Sequence, residues 1–207
     1  MGRRDPSAFR RERPSPARGR AHRPAGGEPG HVAAAAGHLE GTRAVKYTNS
    51  IEIALPRERV AQLLADPAHL PMWLRDLVVH EPLNGVHGEL GTESRVVMRS
   101  GKQELECVET ITRREPADLR AIPEGTVVHF DREIVGAGMW SVVRDSLTEA
   151  GPEATLWESE SEYRFSGLLM RLVALLMPGA FHKQSQRHME DFKAFAEQGR
   201  DVREERG

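Results

Sequence analysis

The stretch Leu156–Ala196 constrains the fold more than any other part of this chain, because a strand with two distinct faces runs into a long helix. Successive side chains of a strand point to opposite faces. One face between Leu156 and Phe165 is largely charged and belongs in water; the other must point inward and carries Trp157, Ser159, Ser161, Tyr163 and Phe165. Buried hydroxyls need hydrogen-bond partners. The serines therefore either bond to neighbouring backbone or form a polar patch in a cavity wall, and both interpretations stay open.

A long amphipathic helix is predicted after Pro178 and Gly179. At about 100° per residue, one stripe roughly 120° wide holds Phe181, Ser185, His188, Met189, Phe192, Phe195 and Ala196. The opposite side is polar, which is typical of a helix laid on a sheet. A curved sheet that grips such a helix leaves a hollow between them. This arrangement favours a protein that holds a small, largely apolar molecule.

The rest of the chain predicts an α+β fold. A strand at Val45–Leu55 precedes two short helices, one with Pro56 in its first turn and one at Ala68–Leu74. Turn signals then separate apolar runs at Leu77–Leu83, Gly91–Arg99, Gln103–Arg113, Leu119–Ile122, Thr126–Val135 and Met139–Leu147. Short turns favour antiparallel pairing, and strand twist curves a sheet of this size. We expect a curved antiparallel sheet of about seven strands, two short helices after strand 1, and a long C-terminal helix that closes a cavity.

The first 44 residues differ from the rest in composition. Gly, Ala, Arg and Pro make up 30 of the 44, with no periodic apolar pattern. Such a segment buries too little surface to offset its ordering entropy, so we predict a disordered leader. An alternative hypothesis is that residues 1–44 lie outside the native protein. A folded domain is expected over residues 45–198 and a charged tail over residues 199–207.

Composition and motifs exclude several classes of function. The chain has no phosphate-binding loop, dinucleotide fingerprint or nucleophile elbow. His80 and His87 flank a predicted turn without a third ligand, so neither a metal nor a cofactor is expected. The single Cys107 fits a reducing, cytoplasmic location. The apolar segment Leu168–Met177 is too short to span a bilayer. We expect a monomer or weak homodimer with no nucleic-acid partner and no stable membrane insertion.

Glu109 is the candidate catalytic residue. Alternation from Gln103 places Glu109 on one inward face with Leu105, Cys107 and Ile111. Burial disfavours the charged form of a carboxylate, which suits a general acid or base or an anchor for a ligand hydroxyl. A bulge that turns Glu109 outward, or an ion pair with Arg95, Arg132 or Arg144, is the competing interpretation.

The register of residues 126–147 stays open. One possible inward set is Trp140, Val142, Arg144 and Ser146, and the opposing set is Met139, Ser141, Val143, Asp145 and Leu147. Neither set is clearly more apolar. His129 has the same ambiguity, since it shares its strand face with Val127, Asp131 and Glu133.

Four segments carry a resemblance to a known superfamily: Asp66–Trp73, Val108–Glu115, Met177–Phe181 and Met189–Phe195. With the order of elements, they resemble the bacterial SRPBCC proteins over residues 45–198. That resemblance implies the START-like helix-grip fold, which is shared by polyketide cyclases and aromatases, lipid-transfer domains and relatives of plant pollen allergens. It implies little about activity, because one fold hosts many functions.

We expect the chain to bind a small hydrophobic or aromatic metabolite in an internal cavity. A polyketide cyclase or aromatase type of enzyme is the first alternative, and a lipid or quinone carrier is the second. The predicted ligand-binding residues are Trp73, Cys107, Glu109, Trp140, Trp157, Ser159, Ser161, Tyr163, Phe165, Met189 and Phe192. For Trp73, packing beneath the terminal helix is the ordinary alternative.

Overall fold

A computed structural model describes residues 44–136, 138–166 and 178–204 of the protein. Within these residues seven strands form one antiparallel sheet: β1 Val45–Ile53, β2 Leu77–Pro82, β3 Glu93–Ser100, β4 Gln103–Glu115, β5 Val128–Gly136, β6 Met139–Gly151 and β7 Ala154–Phe165. The order across the sheet is β1-β7-β6-β5-β4-β3-β2. The helices are α1 Arg57–Ala65, a 3₁₀ turn at Pro67–His69, α2 Leu70–Trp73 and α3 Pro178–Gln198. The predicted helix-grip fold is confirmed.

The hydrophobic core lies where α1, α2 and α3 meet one end of the sheet. Trp73 of α2 and Trp157 of β7 each meet the ring of Phe192 edge-on, with centroids 5.3 and 5.2 Å away. Phe192 is fully buried, and Phe195 and Ala196 pack against the same cluster. The predicted apolar stripe of α3 therefore faces the sheet.

The apolar run Leu119–Ile122 is not one of the strands; it is a loop in which the side chains of Leu119 and Ile122 are buried. Side chains of α1 satisfy the loop's backbone instead of a neighbouring strand. Arg57 donates to the carbonyls of Ile122 and Pro123 at 3.2 and 3.0 Å and to that of Thr126. The apolar pattern indicated that Leu119 and Ile122 are buried, which they are, but their side chains reach the core from a loop and not from a strand.

Other predictions fall wholly or partly outside the described residues. The leader 1–44 lies outside them except for Ala44, and Leu168–Met177 lies outside them entirely. In the predicted charged tail, Val202 is buried and its N–H donates to the carbonyl of Met72 at 2.9 Å. Residues 199–204 therefore fold back toward α2. In the described part of the chain, no helix combines the length and apolarity needed to cross a membrane.

Candidate functional site

Strand register determines which side chains share the concave face beneath α3. Glu109 pairs with Ile134, and Ile111 pairs with Arg132. Arg132 in turn pairs with Val143 of β6. The concave face of β5 and β6 therefore carries Val128, Phe130, Arg132, Ile134, Ser141, Val143, Asp145 and Leu147. The inward orientation predicted for Glu109 agrees with this register, and the open register of residues 126–147 is now determined.

Six polar side chains form a continuous row across this face, here called the polar belt: His87, His80, Glu109, Arg132, Asp145 and Trp157. His80 Nδ1 lies 2.6 Å from His87 Nε2, and His80 Nε2 lies 3.1 Å from Glu109 Oε1. The Arg132 guanidinium lies 3.8 Å from Glu109 Oε2 and 3.4 Å from Asp145 Oδ2. Trp157 Nε1 donates to Asp145 Oδ1 at 3.0 Å. The belt thus joins β7 to the β2–β3 loop.

Arg132 has the least satisfied side chain of the belt. Both of its ion pairs exceed hydrogen-bond length, and among the described residues the guanidinium makes no hydrogen bond. Its side chain is 30% exposed, against 17% for Glu109 and 10% for His80. A guanidinium has five N–H donors. Part of the Arg132 side chain is therefore accessible, and its N–H donors make no hydrogen bond to a described side chain.

The belt keeps Glu109 ionised. Burial alone would raise the pKa of Glu109, but the His80 hydrogen bond and the positive charge of Arg132 outweigh it and hold that pKa below its usual value. This finding differs from the expectation that burial would favour the protonated form. Glu109 is therefore ionised and can accept a proton. Arg132, with which it forms an ion pair, is one of the three arginines predicted as its possible partners.

Two histidines near the belt are biased toward their neutral forms. Burial lowers the pKa of His87, and the neighbouring charge of His80 adds to this effect. Burial likewise lowers the pKa of His188 on α3, where the nearby charges of Asp76 and Asp191 oppose the effect and that of Arg132 supports it. Near Glu109 and Arg132, burial therefore favours the neutral form of both imidazole rings.

An aromatic wall flanks the belt on its β1 and β7 side. The rings of Tyr163 and Tyr47 stack with centroids 5.9 Å apart, and Tyr163 lies 6.2 Å from Phe165. Phe181 of α3 tilts over both Tyr163 and Phe165 at 5.2 and 5.4 Å. Tyr47 Oη forms a 2.9 Å hydrogen bond with Ser185 Oγ, which fixes α3 against the wall. Flat aromatic surface and polar groups therefore occupy neighbouring parts of one concave face.

Several predicted ligand contacts lie in solid packing instead. Trp73, Trp157, Met189 and Phe192 are 0–3% exposed. A side chain that lines a hollow keeps some surface within reach of a water-sized sphere, and these four keep almost none. The structure therefore places Trp73 in its ordinary packing role. Phe165 is equally buried, so Tyr163 is the more accessible ring of the aromatic wall.

The small polar residues lie where the alternation placed them. Ser159 and Ser161 are buried on the concave face of β7, opposite Asp145 and Val143 of β6. Cys107 is half-buried, and burial raises the pKa of its thiol to about 11. The Cys107 Sγ–H donates to the carbonyl of Val96 at 3.6 Å. Cys107 is therefore a neutral wall residue.

Trp140 does not belong to this face, which corrects its prediction as a ligand contact. Its indole N–H donates to Glu133, and the Arg164 guanidinium lies 5.1 Å above its ring. These partners lie on the convex face, because the alternate residues Ser141 and Val143 point inward. Trp140 is held by surface charges and cannot reach the hollow.

Sequence reasoning missed His80, His87, Arg132 and Asp145 as members of the site. A signal for Arg132 was present, since Val128, Phe130 and Ile134 form an apolar alternate set with Arg132 as its polar member. Asp145 and His80 had no comparable signal. Within the described residues, no three His, Cys, Asp or Glu side chains are arranged to hold a metal ion.

A groove lies at the end of α1. This groove has a volume of about 760 Å³ and is lined by polar and charged side chains, among them Gln62, Asp66, His87, Glu89 and Arg114. His87 thus belongs both to the groove and to the polar belt.

Solved structures with this fold include two that are named as enzymes and one named Ara h 8.0201. The Zhui aromatase/cyclase from Streptomyces sp. R1128 has a TM-score of 0.59 at 11% identity, covering 75% of this chain and 94% of that one. A truncated norcoclaurine synthase from Thalictrum flavum has a TM-score of 0.57 at 13% identity, covering 76% and 96%. Ara h 8.0201 has a TM-score of 0.54 at 11% identity, covering 74% and 98%. At these identities the likeness shows the fold alone.

Sequence comparison gives the family. Among curated proteins, no sequence matches this chain. The family described as polyketide cyclase/dehydrase and lipid transport matches residues 44–197, which span the whole sheet and nearly all of α3. The chain therefore belongs to the polyketide cyclase/dehydrase and lipid transport family, within the SRPBCC superfamily that its sequence resembles.

Proposed function

We propose that this protein binds a small, mostly apolar molecule, aromatic in at least one part, between the concave face of the sheet and α3. The observation that carries this proposal is Arg132, a guanidinium without a hydrogen bond to any described residue, on a face that also presents Tyr163. Ligand sites are typically apolar with a few convergent polar groups that fix orientation. A ligand whose oxygen accepts a hydrogen bond from Arg132 and whose flat ring packs beside Tyr163 would match both the polar and the aromatic part of this face.

The charge of the belt favours a neutral oxygen over a carboxylate. Glu109 and Asp145 lie on either side of Arg132, so two formal negative charges surround one positive charge. A ligand carboxylate would add a third negative charge at short range, where Coulomb repulsion is strong. A ketone or a neutral hydroxyl brings the same acceptor without that repulsion.

Isothermal titration calorimetry with three bicyclic probes tests this proposal. The ketone 2-tetralone is expected to bind more tightly than tetralin, which lacks the oxygen, and more tightly than the carboxylate 2-naphthoate. Arg132→Lys keeps the charge but loses the fork of donors, so we expect roughly tenfold weaker 2-tetralone binding, about the worth of one hydrogen bond to a charged group.

The matched control for this measurement is Arg144→Lys. Arg144 lies on the exposed convex side of β6, so its replacement should leave the Kd unchanged. Absence of binding by all three probes contradicts the proposal. Native mass spectrometry of protein purified gently from its own cells would identify the natural cargo, and a lipid or quinone would favour the carrier alternative.

An enzyme of the cyclase or aromatase type is the second candidate, and Glu109 is the observation that favours it. A carrier needs only an apolar hollow, whereas ring closure needs a group that accepts and returns protons beside the substrate. The Glu109 carboxylate accepts a hydrogen bond from His80 and lies next to the free donors of Arg132. Enolisation of a bound ketone is the simplest measurable step of this chemistry.

We also propose a cytoplasmic location and a monomeric or weakly dimeric state. The location is supported by the single cysteine of the chain, Cys107, whose thiol is free.

A further inference from the structure

The histidine end of the polar belt reaches a groove at the protein surface. Glu109 lies beside Arg132 on the concave face, and His80 connects it to His87 through contacts of 3.1 and 2.6 Å. His87 also lines the groove at the end of α1. The rings of His80 and His87 are nearly coplanar, at 18° with centroids 4.8 Å apart, so they meet edge to edge along the contact between their nitrogens.

The opposite end of the belt has no such exit. Asp145 and Trp157 are 1% and 3% exposed and lie against the hydrophobic core. Along the belt, a proton on Glu109 can therefore reach solvent through the two histidines but not through Asp145.

We propose that His80 and His87 relay protons between Glu109 in the hollow and water in the groove. This inference rests on the proposed hollow and deepens the enzymatic candidate, because it gives Glu109 a route for exchanging its proton while a ligand covers it. Neither histidine is required to touch the ligand.

Each pass of the relay moves one proton. In the inward pass, a hydronium ion in the groove protonates His87 Nδ1 and leaves water. The His87 Nε2 proton moves to His80 Nδ1, and the His80 Nε2 proton moves to Glu109 Oε1, which becomes a carboxylic acid. The outward pass reverses these transfers. The inward pass starts with both histidines protonated at Nε2 and leaves both protonated at Nδ1. The outward pass starts from this second pair of tautomers and restores the first, so the two passes alternate.

The groups around the relay set its electrostatics. On the hollow side, Glu109 is next to Arg132 and Cys107. On the groove side, His87 faces Asp66, and the Glu89–Arg114 ion pair at 3.4 Å lines the same groove. The carboxylates favour arrival of a proton at His87, while the ionised Glu109 favours its transfer inward.

Hydrogen exchange of bound 2-tetralone in deuterium oxide, followed by proton NMR, tests the relay. The cycle starts with His80 and His87 in the tautomers that an inward pass leaves, so His80 Nε2 is unprotonated. Glu109 takes a proton from the carbon next to the ketone, and the electron pair stays on the ligand as an enolate. An outward pass then removes that proton, an inward pass brings a deuteron to Glu109, and the enolate takes the deuteron from Glu109, which restores the starting tautomers. We expect wild-type protein to accelerate this exchange and Glu109→Gln to abolish the acceleration.

His87→Gln is the decisive variant, because glutamine keeps a hydrogen bond to His80 but cannot carry a proton onward. We expect its exchange rate to fall roughly a hundredfold, within the range of general acid–base effects, with an unchanged Kd for 2-tetralone. Imidazole in the buffer should restore exchange to His87→Gly but not to Glu109→Gln. His129→Gln is the control, since His129 lies on the convex face and its replacement should change nothing.

The outcomes separate the two proposals. If 2-tetralone, tetralin and 2-naphthoate all fail to bind wild-type protein, the proposed function fails and the relay fails with it. Binding with equal exchange rates in wild type and His87→Gln overturns the relay and leaves the binding function standing. Slow exchange in His87→Gly that imidazole does not restore assigns His87 a structural role and also overturns the relay.

Discussion

At the scale of single residues, neighbours determined the chemistry of Glu109 more than burial did. Its carboxylate is buried, as the strand alternation predicted, yet His80 and Arg132 hold its pKa below the usual value. Both partners come from other strands, β2 and β5, so no local pattern around Glu109 could reveal them. Of the general acid or base that burial suggested, the lowered pKa favours a proton acceptor.

Trp140 provides a residue-scale prediction. Trp140→Leu should leave 2-tetralone binding unchanged, because the indole lies on the convex face. The free energy of unfolding should fall by about 1 kcal/mol through loss of the Glu133 hydrogen bond and the Arg164 contact. Urea unfolding and calorimetry measure the two effects. If the variant bound 2-tetralone more weakly while losing no more stability than expected, Trp140 would have to be counted as a ligand contact.

At the scale of elements, the sequence predicted which segments are strands better than it predicted their faces. Alternation between charged and uncharged residues determined the inward face of β7. In β6, Trp140 and Arg144 on one side look as mixed as Ser141 and Asp145 on the other. A buried ion pair puts charged residues on the inward face and removes the contrast on which the prediction depends. The register of β5 and β6, and with it Arg132, therefore needed the three-dimensional pairing.

Gly136 provides an element-scale prediction at the β5–β6 turn. A Cβ at this position would lie 2.6 Å from the carbonyl oxygen of Glu106 and 2.7 Å from Cys107 Cα, so the turn depends on close backbone approach to β4. We expect Gly136→Ala to reduce the free energy of unfolding by about 1–3 kcal/mol, the range for overpacking.

Gly151→Ala is the matched control for Gly136→Ala. It adds a methyl group at the β6–β7 turn, where the nearest contact is an ordinary 3.8 Å. Urea unfolding of the two variants side by side measures the difference, and equal stability would show that β4 can shift to accommodate the added carbon.

At the scale of the whole molecule, the described pKa shifts make the fold sensitive to acid. The pKa of His188 is lowered in the folded protein. Below pH 6.5, its ordinary pKa, the unfolded chain therefore binds a proton at His188 more readily than the folded protein does. Protonation then favours unfolding, and stability declines as pH falls through this range. Glu109 adds a second loss at lower pH, because its stabilising charge disappears as pH falls from its ordinary value of 4.5 through its lowered pKa.

His188→Gln tests the first of these effects. The variant cannot take up a proton, so its free energy of unfolding should decline less between pH 7 and pH 5 than that of wild type. A residual decline from His87 should remain. Urea unfolding at several pH values gives the two slopes, and parallel slopes would exclude His188 as a source of acid sensitivity.

The position of β1 determines the order in which this sheet can be completed. Strands β2 to β7 follow one another as neighbours, so each can pair with the strand made just before it. β1 is made first, yet Val45 pairs with Tyr163 and Ile53 with Thr155. Contacts of such long sequence separation form slowly. On the ribosome, β1 and the apolar side of α1 must wait until β7 has emerged, so completion of this fold comes near the end of synthesis.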